Sequence, residues 1–174
     1  CSIGQWPEWF AAPDADWLPG VEPVGFLIDH PAERSELTAE LAEFVKAHTQ
    51  APLLVTGGTG RYLGEEFYAN ALAAARQLDL PAIVVTRDRD CLPDQLPQHC
   101  MVTDKLPFGV VMPHCSTVIH HGGLGTTGAA AAAGVPQLIL AFGADRPDNG
   151  SRVAQCGIGE TIALQCAMRT GLSF

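Results

Sequence analysis

Between Pro52 and Gln155 the chain alternates short apolar runs with longer stretches of helical period, and this alternation limits its possible folds more than any other feature. Leu53–Thr56, Ala82–Thr86, Thr117–His120 and Gln137–Ala141 are nearly continuous apolar runs, and Cys100–Val102 is a shorter one. A strand that is apolar on both faces must be covered on both, as in the parallel sheets of α/β proteins. Between these runs, Glu65 to Leu78 sets Phe67, Ala71, Ala74, Ala75 and Leu78 on one helical face. Pro107–Met112, Thr126–Ala133 and Asp148–Gln155 predict further helices. The expected fold is α/β, a parallel sheet with helices on both faces. Right-handed crossovers bring every strand's C-terminal end to one edge, where open α/β sheets bind ligands. That edge gathers Thr56–Gly60, Asp104–Phe108, His120–Thr126 and Phe142–Asn149.

The flanking segments are less regular. Residues 1–23 carry Trp6, Trp9 and Trp17 among prolines and acids, and predict an irregular lead-in packed on the body rather than a sugar platform. Val24–Ile28 predicts a short strand, Asp29 to Glu36 a polar loop, and Thr38 the cap of a helix with Leu41, Phe44, Val45 and His48 in register. The tail from Glu160 to Phe174 has no pattern that assigns it to an element.

A length of 174 residues suits one domain. Ten Lys and Arg against 19 Asp and Glu give a net charge of −9, which excludes a basic nucleic-acid footprint. With 47% hydrophobic and 17% charged residues the chain can bury a core and is not disordered. The six cysteines include no CxxC pair, and read as free thiols in a reducing cytoplasm. The most apolar stretch, Ala129 to Phe142, is broken by Gly134, Pro136 and Gln137 and falls short of the roughly 20 residues of a membrane span. A start at Cys1 without Met suggests a piece of a longer protein.

The chemistry concentrates in Ile119-His120-His121-Gly122-Gly123-Leu124-Gly125-Thr126-Thr127, between a strand and a helix. Free N–H groups at a helix N-terminus, backed by the helix dipole, form an anion site. Glycines admit the ligand to the backbone, Thr126 and Thr127 offer hydroxyls, and an imidazole can add a donor. The same residues could also be a capped helix with two surface histidines. Gly123-Leu124-Gly125-Thr126-Thr127-Gly128 reads as GxGxxG with Asp145 downstream, which imitates a dinucleotide fingerprint and offers an NAD-binding oxidoreductase domain as an alternative. That fingerprint normally opens the first βαβ unit, and here one already precedes it. His30, His48, His99 and His114 read as surface or capping residues, and Arg87 and Lys105 as solvated charges.

Forty residues from His120 to Gly159, including Gly134-Val135-Pro136-Gln137, Asp145-Arg146-Pro147-Asp148-Asn149 and Arg152-Val153, resemble the donor-binding signature of GT-B glycosyltransferases. The likeness is to UDP-glycosyltransferases and their bacterial relatives acting on sterols, macrolides, glycopeptides and rhamnolipid precursors. Pro7-Glu8-Trp9-Phe10 to Gly25-Phe26 resembles the interdomain linker, and Thr56–Thr59 the first donor-side loop. The resemblance implies the C-terminal half of a GT-B fold, with a Rossmann-like sheet. Residues 1–36 would be linker and lead-in, and 37–174 the nucleotide-sugar donor-binding domain.

The resemblance also implies roles. His121 would contact the donor phosphates and stabilise the leaving diphosphate, Gly122, Gly123, Gly125 and Thr126 would hold the same group, and Asp145 would bond sugar hydroxyls. Arg146 stands where many members carry Gln. Asn149 is either a donor contact or a helix cap, and Thr59 either a site residue or part of a glycine turn. Val102–Phe108 would hold the base, but no Trp stands there and Ala129 replaces the ribose-binding Glu of plant members, so both UDP and dTDP donors remain open. The acceptor would be small and lipophilic or a natural product, and its activating His would lie on the N-terminal half, leaving this piece alone inactive. No cofactor or metal is implied, the helix terminus taking the cation's place. A non-catalytic sugar-nucleotide-binding module is the further alternative.

Overall fold

The computed structural model describes residues 2–28, 36–59 and 64–163. Its centre is a six-stranded sheet of β3 (Leu53–Thr56), β4 (Ala82–Val85), β5 (Cys100–Thr103), β6 (Thr117–His120), β7 (Gln137–Ala141) and β8 (Gly159–Ala163). The spatial order is β5-β4-β3-β6-β7-β8, and every pairing is parallel. A separate two-stranded sheet pairs β1 (Ser2–Gly4) with β2 (Val21–Pro23). The helices are α1 (Ala39–Ala47), α2 (Glu65–Gln77), α3 (Phe108–Val111), α4 (Leu124–Ala133) and α5 (Arg146–Gln155).

All four residues of β3 and of β4 are buried, as their continuous apolar runs require. Successive side chains point to opposite faces. Leu53 and Val55 therefore join Ala82, Val84 and Ile119 against Phe67, Tyr68, Ala71, Leu72 and Ala75 of α2. Leu54 joins Ile83, Val85 and Val118 on the other face, against Leu41 of α1, Val111 of α3 and Ala130 of α4. The result is a Rossmann-like α/β layer structure with helices on both faces. A third cluster seats Phe10 and Ala11 of the lead-in on Ile139, Ala141 and Val153, with Trp6 and Trp17 packed around it. The lead-in thus packs on the body, and the Trp6 and Trp17 rings meet edge to face at 5.5 Å.

Four expectations need correction or extension. Residues 24–28 form no strand; Gly25 takes φ +107°, which breaks the extended path, and the preceding Val21–Pro23 pairs with Ser2–Gly4 instead. Phe26 lies against α4, occupying the space that a side chain at Gly128 would need. Both α4 and α5 begin two residues earlier than their apolar periodicity suggested, because Gly123 and Asp145 take the cap positions. Gly159–Ala163 is an edge strand paired with β7, in a half-buried pattern too weak to read as a strand. The expected loop from Asp29 lies outside the described residues except for Glu36, as do Gly60 and the tail beyond Ala163.

Thr38 caps α1 as expected, its hydroxyl accepting the Leu41 N–H at 3.4 Å. Cys91, Cys100, Cys115 and Cys156 are free thiols, and burial pushes Cys100 up to about 11 and Cys115 up to about 12.

Seating Phe26 on Gly128 gives a test of the packing. A β-carbon at Gly128 would lie 2.6 Å from Phe26 Cγ. Gly128→Ala should therefore lower the urea midpoint, since overpacking costs about 1–3 kcal/mol against the ~1 kcal/mol that alanine gains in a helix. Phe26→Ala combined with Gly128→Ala should show the alanine substitution as neutral or stabilising relative to Phe26→Ala alone.

Candidate donor site at the sheet edge

Strands β3 and β6 are neighbours, with Thr56 in register with His120, although two strands and their crossovers separate them in sequence. The chain leaves this point in both directions, and the connections diverge to open a crevice. A cavity of about 650 Å³ lies there, walled by Thr56, Gly58 and Thr59 after β3, Thr86–Asp88 after β4, Asp104–Leu106 after β5, and His121 and Gly123–Thr126 after β6.

The N-terminus of α4 forms one wall. Gly123 is its cap and offers no side-chain bond. The first helical bond runs from the Thr127 N–H to the Gly123 carbonyl at 3.0 Å, so the N–H groups of Leu124, Gly125 and Thr126 have no helical acceptor. A β-carbon at Gly125 would meet nothing within 4 Å, so this glycine leaves open space beside those donors. Thr126 lines the cavity. Thr127 does not: it is fully buried, and its hydroxyl donates back to the Gly123 carbonyl at 3.1 Å, which removes it from the expected set of anion donors.

The adjacent histidines have separate roles. His120 is fully buried; its Nδ1 accepts the Gly122 N–H at 3.2 Å, and its Nε2 lies 3.0 Å from Gln137 Oε1. An amide can only donate, so Nδ1 is the acceptor and the proton sits on Nε2, donating to Gln137. Burial dominates the titration and lowers His120 to about 3. It is a neutral structural imidazole.

His121 faces the cavity with its ring set between two glycines. A β-carbon at Gly58 would lie 2.7 Å from His121 Nε2, and one at Gly123 would lie 2.9 Å from Cε1. The slot therefore depends on glycine on both sides, one from each loop flanking the crevice. Within it, Nδ1 is buried without a hydrogen-bond partner. Burial first, and the Arg146 guanidinium second, lower His121 to about 4, with the Asp145 carboxylate opposing them. The ring is neutral near pH 7 and can present a single N–H donor.

Of the other sequence candidates, Thr59 is exposed on the wall of this cavity. Gly122 takes φ +89°, and a β-carbon there would lie 3.1 Å from the Arg146 carbonyl oxygen, so only glycine fits. Asp145 and Asn149 line a second cavity of about 460 Å³, shared with Trp6, Phe10, Trp17 and Leu18 of the lead-in. Leu124 borders both cavities. Asp145 caps α5, and the Arg146 guanidinium donates to the Phe142 carbonyl at 3.0 Å. Asn149 is no cap: it is buried within α5, and its Nδ2 donates to the Gly122 carbonyl at 2.9 Å and to Asp145 Oδ2 at 3.0 Å.

Sequence reasoning missed Tyr68, whose buried hydroxyl accepts the Gly57 N–H at 3.1 Å and holds the β3 loop against the cavity. Burial raises its phenol above the ordinary range. Its signal was a phenol on the apolar face of α2, since a buried hydroxyl requires a partner.

Sheet order, crevice and helix terminus together define one half of a GT-B glycosyltransferase fold. Residues 69–170 match the family described as "Erythromycin biosynthesis protein CIII-like, C-terminal domain", and the chain belongs to that family. It is 52% identical over 70 residues to the elloramycin glycosyltransferase ElmGT of Streptomyces olivaceus, covering 40% of this chain and 18% of that protein. It is 39% identical over 112 residues to the TDP-daunosamine transferase DnrS of Streptomyces peucetius, covering 62% and 26%. Among solved structures, the glycosyltransferase of kitacinnamycin superposes with a TM-score of 0.73 at 19% identity, over 94% of this chain and 42% of that one. The spinosyn rhamnosyltransferase SpnG gives 0.70 at 26% identity, over 91% and 42%. The chain thus spans well under half the length of these relatives. Among the described residues no helix is long and apolar enough to cross a membrane.

The two lowered histidines make stability depend on pH. Unfolded, each titrates near its ordinary value of 6.5; folded, His120 is held at about 3 and His121 at about 4. Below 6.5 the unfolded chain binds more protons, so stability falls as pH falls. Each histidine contributes up to about 1.4 kcal/mol per pH unit in the window from 6.5 towards 4. Urea midpoints measured from pH 7 to 5 should decline, and His121→Gln should make the decline shallower.

Proposed function

We propose that this chain is the donor-binding half of a glycosyltransferase that moves a hexosyl group from a nucleoside-diphosphate sugar, of UDP or dTDP type, to a lipophilic or natural-product acceptor. The observation that carries the reading is the uncapped N-terminus of α4 facing the same cavity as the slotted His121 ring. A diphosphate set there would accept from the N–H groups of Leu124, Gly125 and Thr126, from the Thr126 hydroxyl, and from His121. As the glycosyl bond breaks, negative charge grows on the leaving phosphate. Donors already fixed at that point lower the barrier because they need not reorganise. No metal is required by this arrangement, since the helix terminus supplies the positive potential.

Asp145 lies beyond Leu124 from the diphosphate wall, which would put the sugar between them and suits a role for its carboxylate towards sugar hydroxyls. The base would rest against Lys105, Leu106 and Phe108 at the other end of the cavity. The relatives support the donor class: one is named a TDP-daunosamine transferase, and the glycosyltransferase VinC was solved in complex with dTDP. They support the acceptor class equally, one being a 10-deoxymethynolide desosaminyltransferase. Free thiols and a nucleotide-sugar substrate fit a cytoplasmic enzyme. The acceptor-activating base belongs to the other half, so this chain binds donor and does not turn it over.

Calorimetric titration of the protein with dTDP, UDP and NAD tests the reading. A nucleoside diphosphate should bind, with His121→Ala weakening it by about 1.5–3 kcal/mol, the range for a hydrogen bond to a charged group. EDTA should leave the affinity unchanged. Binding of NAD without either diphosphate would overturn the reading, and a tenfold loss in EDTA would replace the helix terminus with a cation.

A further inference from the structure

The two peptide groups that flank Gly122 are each held by a buried side chain of another element. The Gly122 N–H donates to His120 Nδ1 at 3.2 Å, and the Gly122 carbonyl accepts from Asn149 Nδ2 at 2.9 Å. His120 can accept there only while its proton is on Nε2, and Gln137 Oε1 keeps it there by accepting that proton's hydrogen bond at 3.0 Å. On the other side, Asn149 Nδ2 also donates to Asp145 Oδ2 at 3.0 Å. One chain of hydrogen bonds therefore runs from Gln137 on β7, through His120, Gly122 and Asn149, to Asp145 at the start of α5.

We propose that Gln137, His120 and Asn149 are positioning residues that clamp the peptide groups on either side of Gly122, and through them hold the His121 ring and the Asp145 carboxylate in one fixed relation. The clamp rests on the donor-binding reading for its purpose but not for its geometry. Gly122 sits at φ +89°, which glycine reaches without steric cost, and without a β-carbon its two flanking peptide groups are fixed by their hydrogen bonds rather than by sterics. The preceding residue, His121, has its ring in the slot between Gly58 and Gly123. With these peptide groups locked, the ring has one position and α4 one starting direction. Because Asn149 shares its amide between Gly122 and Asp145, the diphosphate side and the acid beside the second cavity are set by a single side chain. Losing any of these buried bonds is costly, which favours one arrangement of the turn over several, although Gln137 Nε2 is itself buried without a partner.

The test uses Gln137→Met, which keeps length and removes the acceptor, Asn149→Ala, and Asn149→Asp, which keeps shape and removes both donors. Two readouts are taken on each variant whose amide spectrum keeps the wild-type dispersion: the NMR titration of His121, and the affinity for dTDP and UDP. A released ring gains water and loses its fixed distance from Arg146. The His121 titration should then move from about 4 towards the ordinary 6.5, and nucleotide affinity should fall on the order of tenfold, as for outer-shell partners of other bound centres. A purely structural role would lower the melting temperature and leave the His121 titration in place. If His121 still titrates near 4 and affinity stays within about twofold, or if all three variants unfold, the clamp is overturned. If the wild type binds neither dTDP nor UDP while the His121 titration still moves in the variants, the clamp stands and the donor-binding reading fails.

Discussion

The hydrogen bond from the Gly122 N–H to His120 Nδ1 closes the end of β6 over the helix that begins two residues later. A strand entering a helix through a glycine turn must dispose of backbone groups that neither element satisfies. Here the last residue of the strand takes one, and Asn149 of α5 takes another. What remains unsatisfied is the helix terminus itself, which faces the cavity. The same bond decides which histidine does which job. His120 is consumed by the turn, and this frees His121 to occupy the gap between Gly58 and Gly123.

The electrostatics of the cavity follow from that division. Among the described residues its wall carries two cations, Arg87 and Lys105, and two carboxylates, Asp88 and Asp104, whose charges offset one another. His121 adds no charge near pH 7 because burial and Arg146 hold it at about 4. Among the described residues, the aligned N–H groups at the start of α4 are then the remaining source of positive potential. A chain with a net charge of −9 can therefore attract a dianion only at short range, where the backbone donors dominate over the distant acids.

The main architecture was legible because parallel strands buried on both faces carry short apolar runs, as in Leu53–Val55, Ala82–Val85 and Val118–Ile119, and the glycine turns after Thr56 and His120 mark one edge. The clustering of Thr59, His121, Gly123, Gly125 and Thr126 on one cavity followed from that edge alone. Elements decided by tertiary partners were not legible. Edge strand β8 is half-buried, and its Gly159 is needed because the Gln137 carbonyl presses on it, a fact with no local signal. Val21–Pro23 became a strand in place of 24–28 because Ser2–Gly4 offered it a ladder while Phe26 was drawn to the vacancy at Gly128. Thr127 as an anion donor and Asn149 as a helix cap failed for a related reason. A hydroxyl or amide next to an anion motif looks like a ligand until the backbone groups competing for it are known.

Those competing backbone groups explain why the site tolerates so much buried polarity. His120, Gln137, Thr127 and Asn149 are all buried, and each would be costly in isolation. Arranged around one glycine and one helix cap, they convert a flexible turn into a rigid one. An apolar replacement of the whole set could fold at least as stably, but it would leave the backbone on either side of Gly122 unheld. Stability is thus given up for a fixed orientation of the turn. The depressed histidine titrations are the thermodynamic trace of that exchange, since the burial that fixes the rings also makes the fold weaker in acid.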